Sequence, residues 1–223
     1  MNNTKRSINF SIAFMTVISL ITFVMPNIDL ESFDGNMDMI FPNVLFFLFV
    51  IVFSSIQFVF RILITSKYYI KDKLFFSLNM TPSKINTRTI MYLIAVTFYL
   101  WPVIVSKNLS LIKLSNTINF LIWIIVIELL LYVTTRYTKI HFMSDGVLIR
   151  GLDFRMDVPL GENIFNHSGF YPYHDIQNYS IKNNTLKLIL YSNRGAIQGY
   201  ISEERIKPVS AFFESKRIGN IDS

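Results

Sequence analysis

Four long apolar runs, roughly Ile8–Pro26, Met39–Ile64, Thr89–Ser106 and Ile118–Val133, dominate the chain up to Thr138. A hydrocarbon core of about 30 Å takes about 20 helical residues to cross, so each run predicts a membrane-spanning helix. The first follows Lys5 and Arg6 as a signal peptide would. Its apolar stretch is too long for that, however, and no small-residue cleavage site follows, the next residues being Met25, Pro26, Asn27 and Ile28, so it reads as a retained anchor. Pro42 and Pro102 read as helix-end features or kinks.

After Thr138 the period shortens. Ile140–Met143, Val147–Arg150, Phe170–Lys182, Thr185–Tyr191 and Ala196–Ile201 are strand-length segments. They are separated by Ser144-Asp145-Gly146, by a loop containing Pro159, Gly161 and Gly169, by Asn183-Asn184 and by Asn193-Arg194-Gly195. Asn and Gly tolerate the positive φ of tight hairpins, and Leu186, Leu188 and Leu190 alternate onto one face, so an antiparallel meander is expected. Ile206, Val209, Phe212 and Phe213 then have helical spacing, with Ile218 extending the stripe. Pro208 is expected in the first turn, after a turn at Ser202–Lys207. This divides the chain into a four-helix transmembrane domain, 1–138, and a C-terminal α+β domain, 139–223, in which a curved antiparallel sheet is closed by a helix.

Composition agrees with a membrane protein. Of the 223 residues 52% are hydrophobic and 16% charged, with 21 Phe, against about 25% charged in ordinary soluble domains. The absence of Cys excludes disulfides, thiolate metal sites and cysteine nucleophiles. Heavy use of Ile, Asn, Lys and Phe suits an AT-rich bacterial genome. Of the net charge of +6 the C-terminal domain contributes only +1, so the basic excess belongs to the membrane half, and nucleic acid is not an expected partner.

Lys and Arg also set the orientation. Lys5 and Arg6 precede the first helix; Arg61, Lys67, Lys71, Lys73, Lys84 and Arg88 surround the second connection; Arg136 and Lys139 follow the fourth helix. The first connection carries Asp29, Glu31, Asp34 and Asp38 and no basic residue, and the third carries only Lys107 and Lys113. The positive-inside rule therefore predicts a multi-pass protein of the bacterial cytoplasmic membrane with both termini cytoplasmic. The second connection, about Thr65 to Arg88, mixes Tyr68, Tyr69, Phe75 and Phe76 with its cations. It reads as a headgroup-layer segment, with Lys67, Lys71, Lys73, Lys84 and Arg88 as candidate contacts to anionic lipid beside their role in topology.

Glu128 is the one acid well inside an apolar run. A carboxylate there costs on the order of 3 kcal/mol to insert, so it should face other helices or be protonated. Deep polar partners are Ser54, Ser55, Gln57, Thr97 and Tyr99, with Arg61 near a cytoplasmic end. Glu128, Arg61 and Gln57 are thus the intramembrane candidates, for a structural interhelix hydrogen bond or for a path through a small transporter or channel accessory subunit.

The Ser144-Asp145-Gly146-Val147 hairpin, the strand entry Phe170-Tyr-Pro-Tyr-His-Asp-Ile176, the Leu-alternating strand and the terminal helix together resemble bacterial PH-like domains carried behind transmembrane helices. The match spans roughly residues 139–218. Tyr173, Asp175 and Ile176 stand where that family has its aromatic-x-x-Ile entry. The resemblance implies a binding or scaffolding module rather than a catalyst, with the bilayer and a protein or peptide as partners. Some similar membrane proteins give self-immunity to membrane-active bacteriocins, and that is the function it suggests. Asp145 stands where a phosphoinositide-binding hairpin would have lysines, so headgroup binding by that loop is not expected.

No nucleophile elbow, phosphate loop or dinucleotide fingerprint occurs, so no enzyme activity and no cofactor are expected. His141, His167 and His174, with Asp175, match no metal-ligand spacing, so no metal is expected. Exposed strand edges leave homo-oligomerisation open.

Overall fold

A computed structural model describes residues 3–24, 37–82, 85–107, 114–158 and 164–221. Helix α1 runs Asn3–Val24; α2, Met37–Phe46, continues through a π-helical turn, Phe47–Val52, into α3, Phe53–Ser66; α4 is Ile85–Ser106 and α5 is Leu114–Tyr137. Together they provide four helices long and apolar enough to cross a membrane. Pro42 lies inside α2, and Pro102 in the last turns of α4. Residues 25–36 of the acidic first connection, Lys113 and the stretch with Pro159 and Gly161 lie outside the described residues, while Asp38, expected in that connection, is in α2.

The helices pack on small and apolar faces. Ala13 and Val17 of α1 are fully buried beside Phe53 of α3, and Phe10 meets the Phe53 ring edge-on at 5.6 Å. Phe46 stacks on Trp123 at 4.7 Å, and the Trp123 indole donates to Asn43 Oδ1 at 2.8 Å.

The strands form one mixed sheet. They are β1 Leu74–Met80, β2 Lys139–Met143, β3 Gly146–Arg150, β4 Ile164–Phe165, β5 Gly169–Pro172, β6 Ile176–Lys182, β7 Thr185–Leu190, β8 Gly195–Tyr200 and β9 Gly219–Asn220. Their order is β5-β3-β2-β1-β8-β7-β6-β9, with β4 pairing β8 in parallel. The β6–β7 hairpin turns on Asn183 and Asn184, both at positive φ (48° and 56°), as the two-residue turn between right-twisted strands requires. Leu186, Leu188 and Leu190 are buried on one face, as the alternation predicts.

Three expectations need correction. The second connection is not a headgroup-layer segment throughout: Leu74–Met80 is a central strand, β1, paired with β2 and β8. Leu78 and Met80 enter the sheet core, and Phe76 stacks on Phe142 at 4.4 Å. A boundary at 138/139 therefore leaves out part of the sheet, and the α4–α5 hairpin is an insertion between two neighbouring strands. Second, the closing helix α6 begins at Glu203 and runs to Ser215, so Pro208 lies in its second turn. Ser202 takes the extended N-cap conformation, and Glu203 and Glu204 favour the positive end of the helix dipole, which starts the helix five residues before the proline. Pro208 and Glu204 are both exposed, so water can serve the carbonyl that proline cannot. Third, Phe170–Lys182 is two strands, broken by a 3₁₀ turn at Tyr173–Asp175.

Val209 and Phe213 plug one face of the sheet, packing on Phe142 and Tyr179. Arg217 at φ 59° ends α6 and turns Ile218 back into the core, where its N–H donates to the Phe213 carbonyl at 3.0 Å.

Candidate functional site at the helix–sheet junction

Four-residue spacing puts Phe53, Gln57, Arg61 and Thr65 on one buried face of α3, and Arg6 and Asn9 lie buried on α1. Between these helices and the sheet runs an irregular segment, 151–158, that begins where β3 ends. It alternates: Asp153, Arg155 and Asp157 are charged and buried, Phe154 packs on Phe58 of α3 at 4.7 Å, and Met156 enters the helix core. The segment thus spans the seam between the two apolar cores.

Its charges are densely bonded. Arg6 Nη2 donates to Asp157 Oδ1 at 2.8 Å, and Arg6 Nε is 3.2 Å from both carboxylate oxygens. Arg155 grips Asp153 with two bonds, Nε to Oδ1 at 2.7 Å and Nη2 to Oδ2 at 2.8 Å, and Ser168 Oγ adds a third at 2.7 Å. Arg61 donates to the Asp153 carbonyl at 2.9 Å and the Arg155 carbonyl at 2.8 Å, and lies 3.3 Å from the Asp153 carboxylate. Gln57 pairs with the backbone of Asp157 in both directions, at 2.9 Å and 2.8 Å, as a neighbouring strand would. Phe154 N donates to Thr134 Oγ1 of α5 at 3.0 Å.

A second layer continues into the sheet. Arg155 Nη2 donates to the Asn166 carbonyl, while the Asn166 side chain donates to the Gln198 carbonyl and accepts from Gln198 N, at 2.9 Å and 2.6 Å. The side chains of Arg6, Arg61, Asp153 and Asp157 are each no more than 4% exposed. Burial alone would raise the carboxylate pKa values. The guanidiniums of Arg155 and Arg61 overcome it at Asp153, which is held well below the usual range. Asp157 falls to about 2 against the same burial penalty, through His167, Arg6 and Arg61. His167 itself is lowered to about 3, because burial and the surrounding guanidiniums outweigh the pull of Asp157 3.7 Å away. Fixed, paired carboxylates beside a neutral histidine do the work of a clamp: they bind elements together.

Arg61 and Gln57 therefore share a site, but Glu128 does not belong to it. Glu128 accepts hydrogen bonds from Arg88, at 3.0 Å, and Tyr92, both on α4. Arg61, expected as a deep polar partner for Glu128, holds the 151–158 segment instead.

The expected lipid contacts divide as well. Lys67 lies over Tyr68 at 5.0 Å, Lys71 is exposed, Lys73 pairs with Asp145 at 3.1 Å, and Arg88 is taken by Glu128. Lys84 lies outside the described residues. Tyr68 stacks on Phe170 at 4.5 Å, and Tyr69 meets His141 and Arg150, so these rings face the sheet. At the strand entry, Tyr173 donates to the Met143 carbonyl at 2.7 Å, Asp175 pairs with Arg194 at 2.9 Å, and Ile176 is in the core. Among the described residues no group of three or more His, Cys, Asp or Glu is placed to hold a metal.

Away from the clamp, β1 and α6 form an open groove lined by Phe75, Phe76, Ser77, Arg205, Pro208 and Phe212. Phe75 is 58% exposed, and Lys216 Nζ lies 5.0–5.8 Å from the rings of Tyr173, Phe75 and Phe212. Compared with known proteins, the chain matches no family model and no curated protein.

The clamp was missed in sequence because its halves lie about 100 and 150 positions apart. Its signals were the polar stripe Gln57–Arg61–Thr65 on an otherwise apolar helix and the alternation of Asp153, Arg155 and Asp157.

Proposed function

We propose that this chain is a multi-pass protein of the bacterial cytoplasmic membrane that acts without catalysis, as a membrane-fixed binding module on the cytosolic side. Its biology is self-protection against a membrane-active peptide. The basic residues at the sheet end of the helices, Lys5, Lys67, Lys71 and Arg136 among them, support that orientation. An antiparallel meander closed by a C-terminal helix supports the PH-like reading.

The observation that carries the proposal is the clamp. The buried ionisable groups at the junction are engaged with one another and with backbone, and their effect is to seat the sheet rigidly on the helix ends. Such an arrangement presents a surface and offers no proton-transfer chemistry. The β1–α6 groove is that surface: exposed Phe75 beside Arg205 and Lys216 suits a peptide carrying an apolar residue next to an acid.

The test is growth of a sensitive bacterial host, with and without the full chain, under a panel of pore-forming peptides. Protection that is lost on Phe75→Ala with Arg205→Glu, at unchanged membrane abundance, is expected. Failure to protect against every peptide overturns the immunity reading. For orientation, cysteines placed at Asn36 and Asn193 of this Cys-free chain should label oppositely with an impermeant maleimide, and labelling of Asn193→Cys in intact cells overturns the cytosolic assignment.

A further inference from the structure

We propose that the α4–α5 face carrying Glu128, Arg88 and Tyr92 is an interface for a second copy of this chain, packed about a two-fold axis along α5. Over Phe120–Val133 helix α5 is apolar apart from Glu128, but it buries only one side, through Trp123, Ile127, Leu131 and Thr134. Its opposite side exposes Ile118, Ile122, Ile125, Leu129, Tyr132 and Arg136, spaced alternately four and three residues apart. That is the seam spacing of left-handed helix pairs, in membranes as in water. An apolar seam alone carries nothing, since lipid covers it equally well.

The charges beside the seam change this. Glu128 and Arg88 form an ion pair whose side chains are 39% and 49% exposed on the bundle's outside. Glu128 is near the middle of the 24-residue α5, and Tyr92 and Arg88 reach it from the antiparallel α4. Arg88 is in the first turn of α4 and reaches in from the helix end, whereas the Glu128 carboxylate sits nine residues inside the end of α5, where an uncovered polar group facing hydrocarbon is costly. Protein cover removes that cost. The patch presents both signs side by side, so a two-fold copy meets acid with base and base with acid, which an unlike apolar helix does not. Glu128 flanks the seam where charges select the partner and its direction.

The Cys-free chain makes the test direct. Ile125→Cys and Tyr132→Cys, each in the full-length protein in native membranes, are oxidised with copper phenanthroline, with Met15→Cys as a control. Met15 is 64% exposed at mid-helix on α1, away from this face. Covalent dimer at 125 and 132, well above that at 15, is expected. Adding Glu128→Gln to the Ile125→Cys protein should lower dimer yield about threefold to tenfold, the range for membrane interhelix hydrogen bonds. Pairing Arg88→Glu with Glu128→Arg should restore it. No dimer at either seam position in normally abundant protein, or equal dimer at Met15→Cys, overturns the proposal. A yield indifferent to Glu128→Gln overturns the role given to the charges.

Discussion

Two polar clusters in this molecule use the same chemistry under opposite conditions. At the junction, guanidiniums and carboxylates from α1, α3 and the 151–158 segment are almost completely buried and bonded several times over. On the α4–α5 face, one guanidinium and one carboxylate are 49% and 39% exposed, joined by a part-buried phenol. The difference teaches what each can do. In a buried network whose charges are engaged with one another, removing one member strands another charge in a low dielectric. A half-exposed pair keeps lone pairs and protons for a partner. Residue type alone does not separate clamp from interface; burial does.

The largest expected effect follows from breaking the clamp. Asp153→Ala leaves Arg155 and Arg61 facing each other without their shared carboxylate. Losing one partner of a buried pair costs about 3–5 kcal/mol, a large share of a typical folding free energy. Thermal unfolding in detergent should show the loss, whereas Glu128→Gln should change the same midpoint little. If the two variants unfold alike, the contrast between the clusters fails. Gly151→Ala should damage the same seam by a different route: at φ 154° a Cβ would collide with the Tyr137 carbonyl and Thr138 Cα, where α5 passes into β2. Its expected signature is lost membrane abundance with every clamp charge still in the sequence.

Acid sharpens the comparison next. His167 at about 3 and His141 at about 4 bind protons less readily when folded than the usual 6.5, so the unfolded chain takes up protons first. Their stabilising contribution is full above about pH 6.5 and fades as pH falls toward their folded values, by at most about 1.4 kcal/mol per unit for each group. Asp157, lowered to about 2, adds a further loss only below about pH 4. Unfolding midpoints between pH 7 and 4 should therefore decline in the parent. The decline should be shallower in His167→Gln. A parent midpoint that stays flat from pH 7 to 4 would contradict the neutral, part-buried histidines.

Much of this was legible in the sequence for physical reasons. Membrane helices announce themselves through length and hydropathy, and the β6–β7 hairpin through Asn183-Asn184, because both signals are local. What stayed hidden depended on distance. Leu74–Met80 lies among lysines and aromatics that also suit a membrane surface, and only its neighbours β2 and β8, encoded far downstream, make it a strand. Arg6 and Arg61 fit the positive-inside expectation, which left no residue asking for a second task. Asp153 and Asp157 read as ordinary loop charges until folding placed them between the helices and the sheet.

The smallest expected effect marks the lower end of the scale. Lys73 and Asp145 are 3.1 Å apart, as close as many buried pairs, and they join the connection preceding β1 to the β2–β3 turn. Their side chains are 49% and 65% exposed, so water and salt screen the attraction while two long side chains lose freedom. Neighbouring backbone already holds that corner, since Ser144 N donates to the Lys73 carbonyl at 2.9 Å whatever the side chain. Lys73→Ala should therefore leave the unfolding midpoint close to the parent's, and closer still in high salt. A loss approaching that of Asp153→Ala would mean that distance, and not burial, ranks the ion pairs of this protein.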